Sequence, residues 1–254
     1  MTISNSPPHS LNPIVVIPVR LAATRLPGKP LAEIAGVPMV VHVWRRAMAA
    51  KLGPVVVAAG DSEIVDAVVA AGGRAVLTRA DHPSGSDRVF EAVEAVDPEG
   101  AHGAVINLQG DLPTIDPAAL RAVLAPLIAD AETDIATLVA EITEPAERDD
   151  PNVVKAGLAF APGAISARAL YFSRAPVPAG AGPFWHHIGI YAYRRAALAR
   201  FVALPPSPLE IRERLEQLRA LEAGMVMRAA AVDMVPLGVD TEADLARARA
   251  MLEA

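Results

Sequence analysis

Asn12-Pro-Ile-Val-Val-Ile-Pro-Val-Arg-Leu-Ala-Ala-Thr-Arg-Leu-Pro-Gly-Lys-Pro-Leu31 decides the reading of this chain. Ile14-Val15-Val16-Ile17 is a β-branched apolar run bounded by prolines, which predicts a buried strand, central and parallel. The run ends at Pro18, and the loop after it carries Arg20, Arg25 and Lys29. In an open α/β sheet, ligands bind at the carboxyl ends of the strands. Three cations on a loop there suit a polyphosphate, to which arginine offers a planar fork and lysine a compact point charge. The loop is neither a G-x-x-x-x-G-K-[ST] phosphate loop nor a G-x-G-x-x-G dinucleotide turn. Read singly, each cation is equally well a solvated surface charge.

Downstream, strand and helix alternate. Pro38–Lys51 predicts a helix, with Pro38 in its first turn and Gly53 beyond its end. His42 lies within it with no partner at i+3 or i+4, as a packed or surface histidine. Pro54–Ala59 is a second buried strand. Ser62 or Asp61 caps a helix over Glu63–Ala71, Arg74–Thr78 is a third strand, and a helix over Arg88–Val96 is capped by Ser86 or Asp87. Ala104–Leu108 is the fourth strand, followed by Gln109-Gly110-Asp111-Leu112-Pro113 and a helix over Pro117–Ala129. Four strand–helix alternations mean a parallel, doubly wound Rossmann-like sheet with right-handed crossovers. Asp111 at such a strand end suits a hard cation such as Mg²⁺, which takes one or two protein carboxylates and completes its shell with phosphate oxygens. It serves equally as a cap for the next turn.

The rhythm changes near residue 134. Asp134–Ile142, Asn152–Phe160 and Ala169–Ser173 predict strands of a smaller mixed or antiparallel region, with a charged loop over Thr143–Pro151 and a Pro/Gly loop over Arg174–Pro183. In Trp185–Tyr193 the alternation puts Ile188, Ile190 and Ala192 on a core face and His187, Gly189, Tyr191 and Tyr193 on the other. The second face is a polar-aromatic wall with a glycine gap, suited to a sugar, although His187 also reads as a satisfied core histidine and Tyr193 as structural. Arg194–Val202 is a short helix. Leu209–Ala223 predicts one continuous helix with Ile211, Leu215 and Leu218 inward and Glu210, Glu213 and Gln217 on a polar arc. Met225–Asp233 is a last strand, and Thr241 with Asp244 opens a terminal helix over Glu242–Glu253.

The bulk numbers narrow the function classes. The chain has 254 residues, 52% of them hydrophobic, which suffices for one large α/β domain or two small ones. A net charge of −6 argues against non-specific nucleic-acid binding. The absence of cysteine excludes disulfides, thiolate zinc sites and thiol nucleophiles. No signal peptide or run of about 18 apolar residues is visible, so a cytoplasmic protein off the membrane is expected.

Pro18-Val-Arg20 through Leu31 closely resembles the signature P-x-R-x-x-S-T-R-L-P-G-K-P-L of the cytidylyltransferases that activate 3-deoxy-manno-octulosonate (Kdo) with CTP. Four further motifs resemble the same family in the same order, from residue 12 to about 252. These are Ser84-Gly-Ser-Asp-Arg88, Gln109-Gly-Asp-Leu-Pro113, His187-Ile-Gly-Ile-Tyr-Ala-Tyr-Arg194 with Pro206-Ser-Pro-Leu-Glu through Gln217, and Gly238-Val-Asp-Thr241. The family commonly has Q-G-D-E-P where this chain has Leu112, so any role of that glutamate is absent here or served otherwise.

The resemblance implies a single nucleotidyltransferase domain over 1–254, with 134–205 as a sugar-binding and dimerisation subregion and 1–11 as a flexible tail. It implies transfer of CMP from CTP to Kdo for lipopolysaccharide biosynthesis, releasing pyrophosphate, by a homodimer. It places Arg20, Arg25, Lys29, Ser84, Gly85, Arg88, Gln109 and Asp111 at the nucleotide. Asp111 and Asp240 would hold Mg²⁺, although Asp240 alone reads as a helix-start residue. Arg174 would pair with the sugar carboxylate, and His187, Tyr191, Glu213 and Gln217 would line the sugar pocket. The catalytic set would be Arg20, Lys29, Asp111 and Asp240. Three alternatives stand beside this. One is a cytidylyltransferase for another acid sugar, such as sialate or amino-Kdo. Another is a metal-dependent glycosyltransferase, which would normally carry D-x-D rather than Gln109-Gly110-Asp111. The third is a non-catalytic sugar or nucleotide sensor.

Overall fold

The computed structural model describes residues 11–22 and 26–253. Arg25 and all of the expected tail but Leu11 lie outside them.

The opening strand, β1 (Pro13–Val19), runs one residue past the expected stop at Pro18. Pro18 sits in it without breaking its register with the next strand. A short hairpin follows, β2 (Glu33–Ile34) and β3 (Val37–Pro38), pairing only with itself. Pro38 therefore ends a strand and precedes helix α1 (Met39–Ala49) rather than lying in its first turn. His42 is a packed histidine, its Nε2 2.8 Å from the Ile34 carbonyl oxygen. Then come β4 (Val55–Ala59), α2 (Ser62–Ala70), β5 (Arg74–Leu77), α3 (Gly85–Val96), β6 (Ala104–Asn107) and α4 (Pro117–Ala129), as the periodicity predicts. The cap of α3 is a correction: Ser84, not Ser86 or Asp87, accepts the Asp87 N–H at its N-terminus.

The second half departs further. After β7 (Ile135–Glu141), the charged loop contains a single helical turn, α5 (Pro145–Asp149). The strand expected over Asn152–Phe160 shrinks to β8 (Lys155–Gly157), and an unexpected strand, β9 (Ser166–Arg168), precedes β10 (Tyr171–Ser173). β11 (Trp185–Arg194) and α6 (Arg195–Ala203) follow the expectation closely. The expected long helix is broken into α7 (Pro208–Glu213) and α8 (Leu218–Glu222), because Arg214 adopts a left-handed conformation at φ 56°. Leu215 and Leu218 are buried as read, but Ile211 is 67% exposed. The chain closes with β12 (Met227–Ala231) and α9 (Glu242–Glu253).

One large sheet has the strand order β5-β4-β1-β6-β11-β7-β12-β9, with β8 and β10 branching from β11. β5, β4, β1 and β6 are parallel, as are β7 and β12, and β11 runs antiparallel between β6 and β7. The antiparallel strands are thus the far half of the same sheet. Strand alternation splits the core. Val15, Ile17 and Val19 face α1, α2 and α4, while Ile14 and Val16 face α3 and α6. Helices on both faces leave the strand ends as the open rim, and the candidate nucleotide residues collect at the carboxyl rim.

Candidate active site

Four loops at that rim converge. Arg20 follows β1 directly, and the loop beyond it is tied down where the Leu21 N–H donates to Asp61 at 2.7 Å. Asp61 was read as a cap for α2. It stands at the N-cap position without a side-chain capping bond, its carboxylate turned to the cationic loop instead. Lys29 begins a 3-10 turn introduced by Gly28, which is left-handed at φ 69°. From the third strand end, α3 presents its first turn, with Ser84 donating to the Asp87 carboxylate at 2.6 Å. After β6, Gln109-Gly110-Asp111 packs tightly on β1.

These loops enclose a cavity of about 320 Å³. Every sequence-predicted nucleotide residue within the described chain lines it: Arg20, Lys29, Ser84, Gly85, Arg88, Gln109 and Asp111. The guanidinium of Arg88 is buried on the wall, with Nη1 donating to Thr78 Oγ1 at 2.5 Å and to the Arg79 carbonyl at 3.1 Å. Its Nη2 has no hydrogen-bond partner. Burial and the neighbouring Arg20 lower the Arg88 pKa from the usual arginine value. His82 also lines the cavity and pairs with Glu91 on α3. The sequence reading did not single it out.

The centre of the site is Lys29. Its Nζ lies 2.9 Å from Asp111 Oδ2 and 3.0 Å from Asp240 Oδ1. Burial alone would lower its pKa, but Asp111 and then Asp240 outweigh that and hold it above the usual lysine value. Asp240 is delivered by the segment before α9, which is anchored to the other carboxylate's own backbone by Val239 N–H to Asp111 O at 2.9 Å. Two carboxylates aimed at one cationic point are a donor set fit for a hard divalent ion, with the ammonium marking its place. No group of three or more metal-ligating side chains occurs among the described residues, so the remaining ligands would have to be phosphate oxygens and water.

The predicted sugar residues do not line this cavity. Because β11 is reversed, its first residues reach the same rim as the end of β7, with Trp185 opposite Glu141. His187 is buried, its Nε2 3.0 Å from Thr137 Oγ1 and its ring against the edge of Phe172. Burial, and then the neighbouring His186, push its pKa down to about 3, so the imidazole is neutral at pH 7. Tyr191 packs on His187, and burial raises its hydroxyl pKa. Gln217 is buried with Nε2 unpartnered.

Arg174 and Glu213 are placed differently from the expectation. Arg174 donates to the carbonyls of Glu213, Pro151 and Arg214, and the Glu213 carboxylate accepts from Tyr171, Ser173 and the Arg174 N–H. Together they brace the end of α7 on β10. The break at Arg214 instead accompanies a contact between Glu216 and the first turn of α3. Glu216 accepts from Ser86 Oγ at 3.2 Å, between the lining residues Gly85 and Arg88, and its Oε1 is buried without a hydrogen bond. Burial outweighs Ser84 and Arg219 and raises the pKa of this carboxyl. Glu216 was missed because a continuous helix puts Glu213, not Glu216, on the arc with Gln217.

A cytidylyltransferase family model matches residues 14–228, spanning β1 to β12. A relative from Rhodospirillum centenum, a 3-deoxy-manno-octulosonate cytidylyltransferase, is 68% identical over 242 residues, covering 95% of this chain and 94% of its own. The chain belongs to the 3-deoxy-manno-octulosonate cytidylyltransferase family. A second member, from Methylobacterium radiotolerans, is 67% identical over 95% of this chain and 97% of its own. Among solved structures, CMP:2-keto-3-deoxy-manno-octonic acid synthetase complexed with CTP superposes with a TM-score of 0.88 at 40% identity. That match covers 95% of this chain and 98% of the other. The chain is therefore a nucleotidyltransferase, and the cavity at its rim is the cytidylyltransferase family's candidate nucleotide site.

Proposed function

We propose that the chain transfers CMP from CTP to Kdo, giving CMP-Kdo and pyrophosphate. The observation that carries this is the Lys29–Asp111–Asp240 cluster, whose Lys29 and Asp111 line a cavity lined by all the described nucleotide candidates. The anomeric hydroxyl of the sugar attacks the α-phosphorus in line as pyrophosphate leaves. No covalent intermediate is needed, and catalysis is positioning plus charge neutralisation.

Arg20, Arg25 and Lys29 hold the triphosphate and offset the charge developing on pyrophosphate. The first turn of α3, with Ser84 and Gly85, meets the nucleotide with backbone donors. Arg88 Nη2 offers a buried donor that awaits an acceptor, and Gln109 closes the same wall. Asp111 and Asp240 would hold Mg²⁺, which when bound would polarise the α-phosphate and lower the pKa of the attacking hydroxyl. His187, Tyr191, Glu216 and Gln217 form the sugar side, with neutral His187, Gln217 Nε2, which makes no hydrogen bond, and Glu216 Oε1, which has only Arg219 Nη2 at 4.0 Å, suited to hydroxyl groups rather than to a carboxylate. Arg174 and Glu213 shape that side by bracing α7, and a direct contact from Arg174 to the sugar requires it to release carbonyls it now holds. The region 134–205 is the proposed dimer contact of a single-domain protein acting in the cytoplasm. No helix among the described residues is long and apolar enough to cross a membrane.

The test is pyrophosphate release with CTP, Mg²⁺ and Kdo, each omitted in turn. Release requiring all three is expected. Release only when another acid sugar replaces Kdo overturns the sugar assignment, and none with any nucleotide from folded protein favours a sensor.

A further inference from the structure

We infer that Lys29 is a built-in plug for the metal position. Its ammonium offsets one of the two negative charges of Asp111 and Asp240 while the site is empty of nucleotide and must be drawn off by the triphosphate before a divalent cation can bind. The inference rests on the metal reading of these two carboxylates.

Asp111 and Asp240 come from segments far apart in sequence, and each points a carboxylate oxygen at the same nitrogen. Two carboxylates facing one gap repel each other, and a single positive charge between them removes most of that repulsion. The lysine contacts of 2.9 and 3.0 Å exceed the Mg²⁺–oxygen distance of about 2.1 Å by less than about 1 Å each, so the plug also keeps the carboxylates near metal spacing.

A divalent cation cannot share that gap with an ammonium at the same point. Either the metal is excluded or the lysine moves. Only its side chain has to move, because the Lys29 backbone is pinned by its N–H to the Leu26 carbonyl and by its carbonyl to the Ala32 N–H. The flexible four-carbon stem permits this. Lys29 also lines the nucleotide cavity, so a triphosphate entering there offers the ammonium a new counter-charge. The arrangement thus couples the ligands: nucleotide frees the carboxylates for metal, and metal frees the lysine for nucleotide. By linkage, each must tighten the other by the same factor.

The experiment measures Mn²⁺ binding to the full chain by electron paramagnetic resonance, with and without CTP and with no sugar present. Wild-type protein, Lys29→Met, Lys29→Gln, Asp111→Asn and the double variant Lys29→Met/Asp111→Asn are compared, with thermal unfolding as the check on folding. Wild-type protein is expected to bind Mn²⁺ alone weakly and Mn²⁺ with CTP far more tightly. Both Lys29 variants are expected to bind Mn²⁺ alone at least tenfold more tightly than wild type. They should lose at least tenfold of the CTP-induced tightening, and adding Asp111→Asn should erase the gain. Lys29 variants that bind Mn²⁺ alone no better than wild type overturn the plug. If Asp111→Asn still abolishes Mn²⁺ binding with CTP in that case, the metal reading stands without it. Mn²⁺ binding with CTP that survives Asp111→Asn overturns the metal reading itself, and the plug with it.

Discussion

Gly110 has no room for a side chain. A Cβ there would lie 2.1 Å from Val19 Cγ1 and 3.2 Å from the Pro18 carbonyl oxygen, both on β1. Gly110→Ala must therefore push the Asp111 loop off the strand. The variant is expected to lose about 1–3 kcal/mol in urea unfolding together with much of its turnover, and wild-type values for both would show that the loop yields freely. Asp111→Ala removes the carboxylate without a clash. Its turnover should fall roughly 10²-fold or more at unchanged unfolding temperature, and near-normal turnover in folded protein removes Asp111 from the mechanism. His187 bears on acid stability. Its pKa is about 6.5 unfolded and about 3 folded, so its contribution is whole above pH 6.5 and is lost as pH falls toward 3. The slope is about 1.4 kcal/mol per pH unit. In chemical denaturation His187→Gln should lose about 1–2 kcal/mol less than wild type between pH 7 and 5, and equal losses would mean that the native imidazole is not neutral. Lys29, Asp111 and Asp240, which the structure brings together, were grouped in the sequence only by the family resemblance, since singly each reads as a surface charge, a cap or a helix-start residue. Glu216 was not, because its position depends on a turn no motif announces.

That turn belongs to the scale of the element. Leu209–Ala223 has helical periodicity throughout and neither glycine, asparagine nor proline after Leu209 to announce a break. The interruption at Arg214 comes from outside the segment, where Arg174 holds the carbonyls of Glu213 and Arg214. A left-handed conformation costs a non-glycine residue about 1–2 kcal/mol. Arg214→Gly is accordingly expected to be at least as stable as wild type, and Arg214→Val less stable by about 1–2 kcal/mol. If both behave alike in thermal unfolding, the backbone there is not held in that conformation. β8 teaches the same lesson. The apolar pattern over Asn152–Phe160 reads as one strand, but the buried Lys155 gathers the carbonyls of Asp150, Val153 and Arg174 at 2.6–2.8 Å and curls the first part into a loop. Burial lowers the Lys155 pKa, so those carbonyl bonds hold a cation that desolvation opposes. Lys155→Met takes the side-chain donor from the carbonyls of Val153 and Arg174, while that of Asp150 keeps the Val153 N–H at 3.1 Å, and a loss of about 2 kcal/mol or more is expected.

Across the whole molecule, the four strand–helix alternations were legible because each buried strand is a β-branched run with turn residues at its ends. The strand order was not, since period-two alternation fixes which face a residue takes but not which strand lies beside it. The antiparallel insertion of β11 between β6 and β7 is that kind of non-local fact, and it brings the His187 end of the strand to the rim. The site also ties the molecule together, because the bond from Lys29 to Asp240 joins positions 211 apart in sequence. Since the site draws on β1, α3, β6 and the C-terminal segment, Mg²⁺ with CTP at 100 times its dissociation constant should raise global stability by about 2.7 kcal/mol. A shift confined to local proteolysis, with no change in unfolding temperature, would count against that coupling. The same long bond bears on how the protein is made. A ribosome that has released the chain as far as Asp111 has produced every residue that lines the recess, but the carboxylate at 240 is still to come. Truncated products, or molecules cut at the 80%-exposed Met234, contain every lining residue of the recess while lacking a covalently held second acid. On the metal role proposed for Asp240, the centre of the site is completed only when the segment before α9 is in place.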